Sequence, residues 1–336
     1  MAVSSSSPSQ GKPISKPGIR WGVVGDKIFY YGTLALAASV LLICFLIVAM
    51  LYIGAEPAIH QFGWRFLTTQ DWDPGNDIYS ALPFIYGTVV SSLLALFIAV
   101  PIGLGTAIFL SELAPKWLRT PLSFLVELLA AVPSVVYGLW GIFVMIPALK
   151  PLESWLQDAT AGSSLCRHLY IDQLFTASSL GFNMLAAALI LAIMVLPFIT
   201  AVSREVILAI PPTQREAAFG LGSTHWEAIK GPILRYSRAG IMGAVILGLA
   251  RALGETMAVT MVIGNSTNPI NVSVLSSAST LASVLASNFA EALQDLEVSS
   301  LYELALILFA ITIVVNTIAR LLIWNMSRTV KGAVRL

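Results

Sequence analysis

The chain has 336 residues, of which 57% are hydrophobic and 11% charged, and its net charge is +1. Soluble domains carry about 25% charged residues, so this composition excludes an ordinary soluble enzyme. The apolar runs reach the roughly 20 residues that a helix needs to cross a bilayer and are too long for barrel strands. We therefore expect an all-α membrane protein, with the lipid bilayer as its surroundings and no nucleic acid as partner.

Six long apolar stretches follow one another along the chain and predict six transmembrane spans. Their approximate limits are 28–54, 80–111, 119–147, 181–203, 237–264 and 301–325. Residues 1–27 are predicted to be a disordered tail, because Ser, Pro and Lys are abundant at the start of the chain. The other predicted segments are an outer loop at 55–79, a transmembrane core at 80–325 with a long polar loop at 204–238, and a tail at 326–336.

Positive charge is distributed unevenly among the segments between the spans. Most of the 19 Lys and Arg residues lie before the first span, after the second, after the fourth and at the C-terminal end. Cytoplasmic loops of helical membrane proteins carry an excess of these residues. Both termini and the polar loop are therefore predicted to be cytoplasmic.

The polar loop carries local signals for short helices. Pro211 and Pro212 predict the end of span four and the first turn of a new helix. Gly220 and Gly222 predict its end, after residues 213–219. Such a loop is either a docking segment for a partner protein or an ordinary linker between spans.

A second short helix is predicted from Thr224, because Glu227 lies three residues later in the spacing of a capping box. The sequence contains no Gly-x-x-x-x-Gly-Lys loop that would hold a nucleotide phosphate. Any ATP that drives this protein must therefore bind another polypeptide.

Two ionisable residues, Arg251 and Glu255, lie near the middle of the fifth predicted span. Helical spacing would place them one turn apart on one face, and an ionised group in a membrane costs at least about 2.5–3.5 kcal/mol. They are either an ion pair that braces the bundle or a site for a charged ligand. A guanidinium suits an oxyanion, and a carboxylate can accept a hydrogen bond from hydrogen phosphate but not from sulfate. Thr256 is a weaker candidate for a polar contact.

Three further expectations concern the outer side and the third span. Pro133 is expected to kink span three, because proline removes a helical hydrogen bond. The aromatic residues Trp64, Phe66 and Trp72 of the first outer loop are expected to be interfacial anchors, with a docking surface for another protein as the alternative. A helix with apolar spacing around Leu281 and Val284 is expected to lie on the outer surface.

The polar loop also contains a motif that resembles one in ABC importer permeases. Glu216-Ala217-Ala218, followed three residues later by a glycine at position 222, matches the EAA motif of that family. The family continues with an Ile-x-Leu-Pro ending. This chain has Pro at position 232 and Arg at position 235, in place of the family's Ile and Pro.

Other stretches are similar to the permease subunits of phosphate-specific ABC importers, the PstC family. The stretches are 248–260 around the Arg–Glu pair, 81–88 at the start of span two and 133–138 in span three. The resemblance runs from about residue 60 to the end of span six. It implies a type I ABC importer permease (MetI-like) with six spans, which imports phosphate, has no cofactor and is not itself an enzyme.

The resemblance also implies roles for particular residues and for partners. Arg251 and Glu255 would act in phosphate translocation, with Thr256 as the added candidate. Docking onto the ATPase would involve Glu216, Ala217, Ala218 and Gly222. The implied partners are a PstA-like second permease subunit, a PstB-like ATPase dimer and a PstS-like phosphate-binding protein in the cytoplasmic (inner) membrane system.

Three alternatives remain open at the level of sequence. An importer permease for another oxyanion, such as sulfate or molybdate, would have the same loop but no need of Glu255. A secondary transporter or channel would use Arg251 and Glu255 for proton coupling and would need no ATPase. A structural subunit would use the same pair only to brace the bundle.

Overall fold

The structure is a computed structural model that describes residues 21–161, 172–176 and 181–333. Residues 1–20 of the predicted N-terminal tail lie outside the described residues. The chain divides into two units, one ending at Met50 and the other beginning at Leu51. The described part of the first unit is helical, and the apolar side chains of residues 25–47 are exposed.

The described residues are mostly helical. The helices are α1 (Trp21–Phe62), α2 (Leu82–Ile108), α3 (Lys116–Ala131), α4 (Ser134–Trp140), α5 (Ile146–Ala161), α6 (Met184–Leu208), α7 (Pro212–Gly220), α8 (His225–Ala228), α9 (Leu234–Leu253), α10 (Met257–Val262), α11 (Leu281–Asn288) and α12 (Asp295–Ala333). Wider π-helical turns at Phe109–Leu113, Gly141–Met145 and Ile229–Ile233 extend α2, join α4 to α5 and join α8 to α9.

Six helical segments in the described part of the chain are long and apolar enough to cross a membrane, which confirms the predicted number of spans. They are Gly25–Leu67, Leu82–Leu113, Ser134–Thr160, Met184–Leu208, His225–Leu253 and Asp295–Asn325. Three of them, Leu82–Leu113, Met184–Leu208 and Asp295–Asn325, lie within about six residues of the predicted limits, because a long uninterrupted apolar run has few other folds open to it.

The predicted limits of the third span, 119–147, are wrong. The apolar run divides into α3 and α4 at Val132 and Pro133, both of which have extended backbone conformations. Proline disfavours the helical conformation in the residue before it, so the run breaks here rather than kinking. The span-length segment then begins at Ser134.

Three apolar clusters form the core of the second unit. The first and largest cluster lies between α2 and α6, which are the most extensively packed helix pair of the described bundle. It also contains side chains of α4, α9 and α10. The second contains Phe66 and Trp72, which are almost completely buried in one cluster with Phe84, so the prediction of interfacial anchors is wrong for these two residues. Trp64 is exposed. The third contains Ile207, Ile229 and other aliphatic side chains at the α7–α8 end of the bundle.

The predicted helix around Leu281 and Val284 is present as α11. Its first half is buried rather than lying on the surface, whereas Ala286 and the C-cap residue Phe289 are exposed. Leu281 and Val284 belong to the second cluster with side chains of α2 and α12. The amide of Leu281 donates a hydrogen bond to the Thr88 hydroxyl in α2 at 2.9 Å. The segment therefore folds back into the bundle after α10.

Gly87 in α2 permits this close approach, and we expect Gly87→Ala to destabilise the protein. A β-carbon at position 87 would overlap the carbonyl oxygen of Ser279, a backbone atom that cannot move alone. Overpacking of this kind costs about 1–3 kcal/mol, so the thermal midpoint of the detergent-purified protein should fall. Gly105→Ala is the matched control, because its β-carbon in the same helix would meet nothing within 4 Å. Equal midpoints for both variants would contradict the prediction.

Candidate functional site

The predicted short helix in the polar loop is confirmed as α7. Pro211 is extended at its N-cap and Pro212 occupies the first helical position, where a missing amide hydrogen costs nothing. The helix ends at Gly220, and Gly222 follows with a φ of +83°. Only glycine adopts this left-handed conformation readily, so Gly222 sets the direction in which the chain leaves α7.

The EAA residues divide between the two sides of α7. Glu216 and Ala217 are exposed, whereas Ala218 is buried against the bundle. Leu221, just beyond the helix, has 88% of its surface exposed. The exposed side of α7 and the turn after it thus offers a carboxylate beside small and apolar groups.

The predicted capping box at the start of α8 is confirmed. The Glu227 amide donates to the Thr224 hydroxyl at 3.3 Å, and the Thr224 amide donates to the Glu227 carboxylate at 2.8 Å. Pro232, whose shifted position raised a question about the geometry after the motif, lies in the π-helical turn that joins α8 to α9. A wide turn accommodates a residue that cannot donate a helical hydrogen bond.

The expectation that Arg251 and Glu255 lie on one continuous helix is wrong. The helix α9 ends at Leu253, and residues 254–256 are non-helical before α10 begins. Arg251 is in the last turn of α9, and Glu255 lies in the break. Glycine at position 254 explains the interruption, because it is a poor helix former and leaves the adjacent backbone accessible.

Arg251 and Glu255 do not form an ion pair in the described structure. The ion pairs found there are His60–Glu56, Arg204–Glu205 and Arg215–Glu112. Instead, the Arg251 guanidinium stacks on the ring of Phe198 in α6, 4.1 Å from its centroid. The Nε atom of Arg251 is buried and has no hydrogen-bond partner among the described residues.

The carboxylate of Glu255 and the hydroxyl of Thr256 lie close to the backbone of the break. The Ala258 amide donates to Glu255 Oε1 at 3.5 Å, and the Thr256 hydroxyl donates to the Gly254 carbonyl at 3.4 Å. Both distances are at the long limit for hydrogen bonds. The two side chains are therefore only weakly held, and both are partly exposed.

The structure brings Arg251, Glu255 and Thr256 together around one helix break, but it separates them from the EAA residues. A helix rises 1.5 Å per residue, so Arg251 lies about 25 Å along α9 from Leu234 at the α7–α8 end. The two sets of predicted residues therefore lie in two separate places, and α9 connects them. Among the residues that the structure describes, no group of three or more His, Cys, Asp and Glu side chains could hold a metal ion.

Two features of these sites were missed in the sequence. Phe198 lies in an apolar run of α6 and carries no signal that distinguishes it from its neighbours. Arg215, directly before the EAA motif, forms an ion pair with Glu112 from the end of α2. The two residues are more than one hundred positions apart, so no local pattern could have paired them.

Comparison with known proteins places these features in a family. Residues 99–330 match the family described as binding-protein-dependent transport system inner membrane component. The phosphate transport system permease protein PstC of Mesorhizobium japonicum is 43% identical over 306 residues, which cover 90% of this chain and 91% of that protein.

Two solved structures share the fold at low sequence identity. A bacterial ABC transporter involved in the import of the acidic polysaccharide alginate matches with a TM-score of 0.54 and 16% identity, covering 90% of this chain and 99% of that chain. An inward-facing MetNI methionine ABC transporter matches with a TM-score of 0.52 and 16% identity, covering 72% and 94%. These structures confirm the type I importer permease (MetI-like) fold. The chain belongs to the binding-protein-dependent inner membrane transport components and, within them, to the PstC permeases.

Proposed function

We propose that this chain is the permease subunit of an ATP-driven importer that carries inorganic phosphate across the cytoplasmic membrane. Its relatives are named as phosphate transport system permeases, and they align over nine-tenths of its length. The chain itself carries out no covalent chemistry. ATP is hydrolysed by a separate subunit, since the sequence has no nucleotide-binding loop.

In this proposal both termini and the α7–α8 segment face the cytoplasm, as the distribution of Lys and Arg predicts. A PstB-like ATPase dimer binds there through Glu216, Ala217, Ala218 and Gly222. The support is the exposure of Glu216 and Ala217 together with the uncovered Leu221. A PstA-like subunit forms the second half of the permease, and a PstS-like protein delivers phosphate from the other side.

The observation that carries the translocation site is the unpaired guanidinium of Arg251. Its central carbon lies over the ring of Phe198, 4.1 Å from the centroid, and such a cation–π contact is worth up to about 2 kcal/mol when it is desolvated. The Nε–H group has no partner among the described residues, so it remains available for a charge-assisted hydrogen bond to an oxyanion. Because no carboxylate neutralises Arg251 in the described residues, it offers a positive charge to a passing anion.

Glu255 and Thr256 complete the proposed site from the break between α9 and α10. The ionised carboxylate repels a fully ionised anion but accepts a hydrogen bond from hydrogen phosphate, whose remaining oxygens bind Arg251. The Thr256 hydroxyl can donate to one of those oxygens. Their long contacts to the backbone leave both side chains free to turn towards a ligand.

The test is uptake of radiolabelled phosphate by proteoliposomes that contain the complete complex, with ATP enclosed. We expect ATP-dependent uptake that excess sulfate does not inhibit. In Glu255→Gln, the repulsion that excludes sulfate is removed, so sulfate should become an inhibitor while phosphate uptake falls.

Each outcome separates the alternatives. Inhibition of wild-type phosphate uptake by sulfate or molybdate would favour an importer of another oxyanion. Uptake without ATP would favour a secondary transporter. If Glu255→Gln leaves the selectivity for phosphate over sulfate unchanged, Glu255 is not part of the site. Glu205→Gln is the matched control, because Glu205 is an exposed carboxylate whose ion pair is with its neighbour Arg204.

A further inference from the structure

One guanidinium joins three helical elements at the α7–α8 end of the bundle. Arg215 of α7 donates to both carboxylate oxygens of Glu112, with its shortest hydrogen bond at 2.8 Å from Nη2 to Oε1. It also donates from Nη2 to the Ile207 carbonyl at 2.9 Å and from Nη1 to the Ile210 carbonyl at 3.0 Å. Ile207 and Ile210 lie at and just beyond the end of α6, and Glu112 lies in the π-helical turn that ends α2.

The geometry is that of a strong pair rather than an incidental surface contact. The exposed fraction of the side chain is 22% for Arg215 and 14% for Glu112. A forked guanidinium–carboxylate contact of this kind has fixed geometry as well as favourable energy. The carbonyl bonds use further guanidinium donors, so Arg215 cannot change partners without breaking several hydrogen bonds at once.

The position of Arg215 in α7 relates this pair to the exposed surface. Successive residues of a helix point about 100° apart, so the half-buried Arg215 contacts the bundle while its neighbour Glu216 is exposed. A force applied to the exposed side of α7 therefore acts directly on Arg215. Through it, the force reaches the ends of α2 and α6, the most extensively packed helix pair of the described bundle.

The other end of the α7–α8 segment is attached in a different way. Ile229 and Ile233, in the turn after α8, are buried with Ile207, Ile210 and Ile241 in an apolar cluster. That contact is non-directional and can slide, whereas the Arg215 contacts are directional. The segment is thus held by a fixed polar attachment at its start and by a packed apolar attachment at its end.

We propose that Glu112 and Arg215 form a coupling pair, which converts movement of α7 into movement of α2 and α6 and so makes ATP hydrolysis productive. The proposal rests on the function proposed above, in which the ATPase binds the exposed side of α7. The pair is not needed for the ATPase to bind or to hydrolyse ATP. Its loss therefore lowers the number of phosphate ions carried per ATP, not hydrolysis itself.

The experiment measures phosphate uptake and ATP hydrolysis on the same proteoliposomes of the complete complex. Glu112→Gln and Arg215→Gln are each expected to lower the ratio of uptake to hydrolysis about tenfold, within the range of typical coupling energies, while hydrolysis changes less than about twofold. The double variant should be no worse than either single one, since the two residues act as a unit. Glu205→Gln, which removes a neighbouring ion pair within α6, should leave the ratio unchanged.

If the ratio of uptake to hydrolysis stays at the wild-type value in both single variants, the coupling proposal is overturned. This holds even if uptake and hydrolysis both fall. If the glutamine variants do not assemble, Arg215→Lys keeps the charge but lacks the planar fork. Glu112→Asp keeps the carboxylate but shortens its side chain by one methylene, and the same ratio of uptake to hydrolysis decides. Absence of phosphate uptake in the wild type would refute the proposed function instead. Cross-linking between α2 and α7, with and without ATP, would then still test whether the pair makes the two helices move together.

Discussion

Arg251→Gln is expected to abolish most phosphate uptake while the complex still assembles and hydrolyses ATP. Removal of the guanidinium takes away the charge-assisted hydrogen bonds that the anion would accept, each worth about 1.5–3 kcal/mol. A loss of about ten- to hundredfold in uptake follows for one such bond. The measurement is uptake of radiolabelled phosphate by reconstituted complex, with ATP hydrolysis followed in the same sample.

Two further substitutions distinguish a ligand site from a brace at Arg251. Arg251→Lys keeps the charge but not the planar fork, so it should fail if the fork binds phosphate and should transport normally if the residue only stabilises the bundle. Phe198→Leu removes the aromatic face on which the guanidinium stacks and should raise the phosphate concentration for half-maximal uptake. Normal uptake by Arg251→Gln would refute the site and direct the search elsewhere in the bundle.

Gly222→Val is expected to lose both phosphate uptake and the ATP hydrolysis that depends on the assembled complex. The φ of +83° at this position is costly for a β-branched residue, by about 1–3 kcal/mol. The chain would relax by changing the direction of the turn between α7 and α8. That change displaces the surface that the ATPase is proposed to bind. Gly222→Val should therefore lose ATP hydrolysis as well as uptake, whereas Arg251→Gln should lose uptake alone.

Gly220→Val is the matched control for Gly222→Val. Gly220 is the last residue of α7, its φ is not positive, and an added β-carbon would meet nothing within 4 Å. It tests whether bulk alone at this end of the helix disturbs assembly. Co-purification of the ATPase with both variants, at wild-type yield and activity, would contradict the docking role of the turn.

The sequence by itself determined the class of protein, the number of spans and the local structure of the polar loop. These features depend on short-range physics: a run of apolar residues must be helical in lipid, and Pro212, Thr224 and Glu227 act on backbone groups within one turn. For the same reason α7 and α8 were predicted close to their observed limits. The EAA motif and the stretch around Arg251 identified the family before any contact was known.

Only the tertiary structure decided where the long apolar runs break and which distant side chains meet. Val132–Pro133 and Gly254 interrupt runs whose hydropathy is continuous, so Arg251 and Glu255 lie on either side of a helix end. Phe66 and Trp72 are buried because the loop that carries them packs against α2 and α11. The partners of Arg251 and Arg215 come from other helices, far away in sequence, and such contacts depend on packing that no local pattern records.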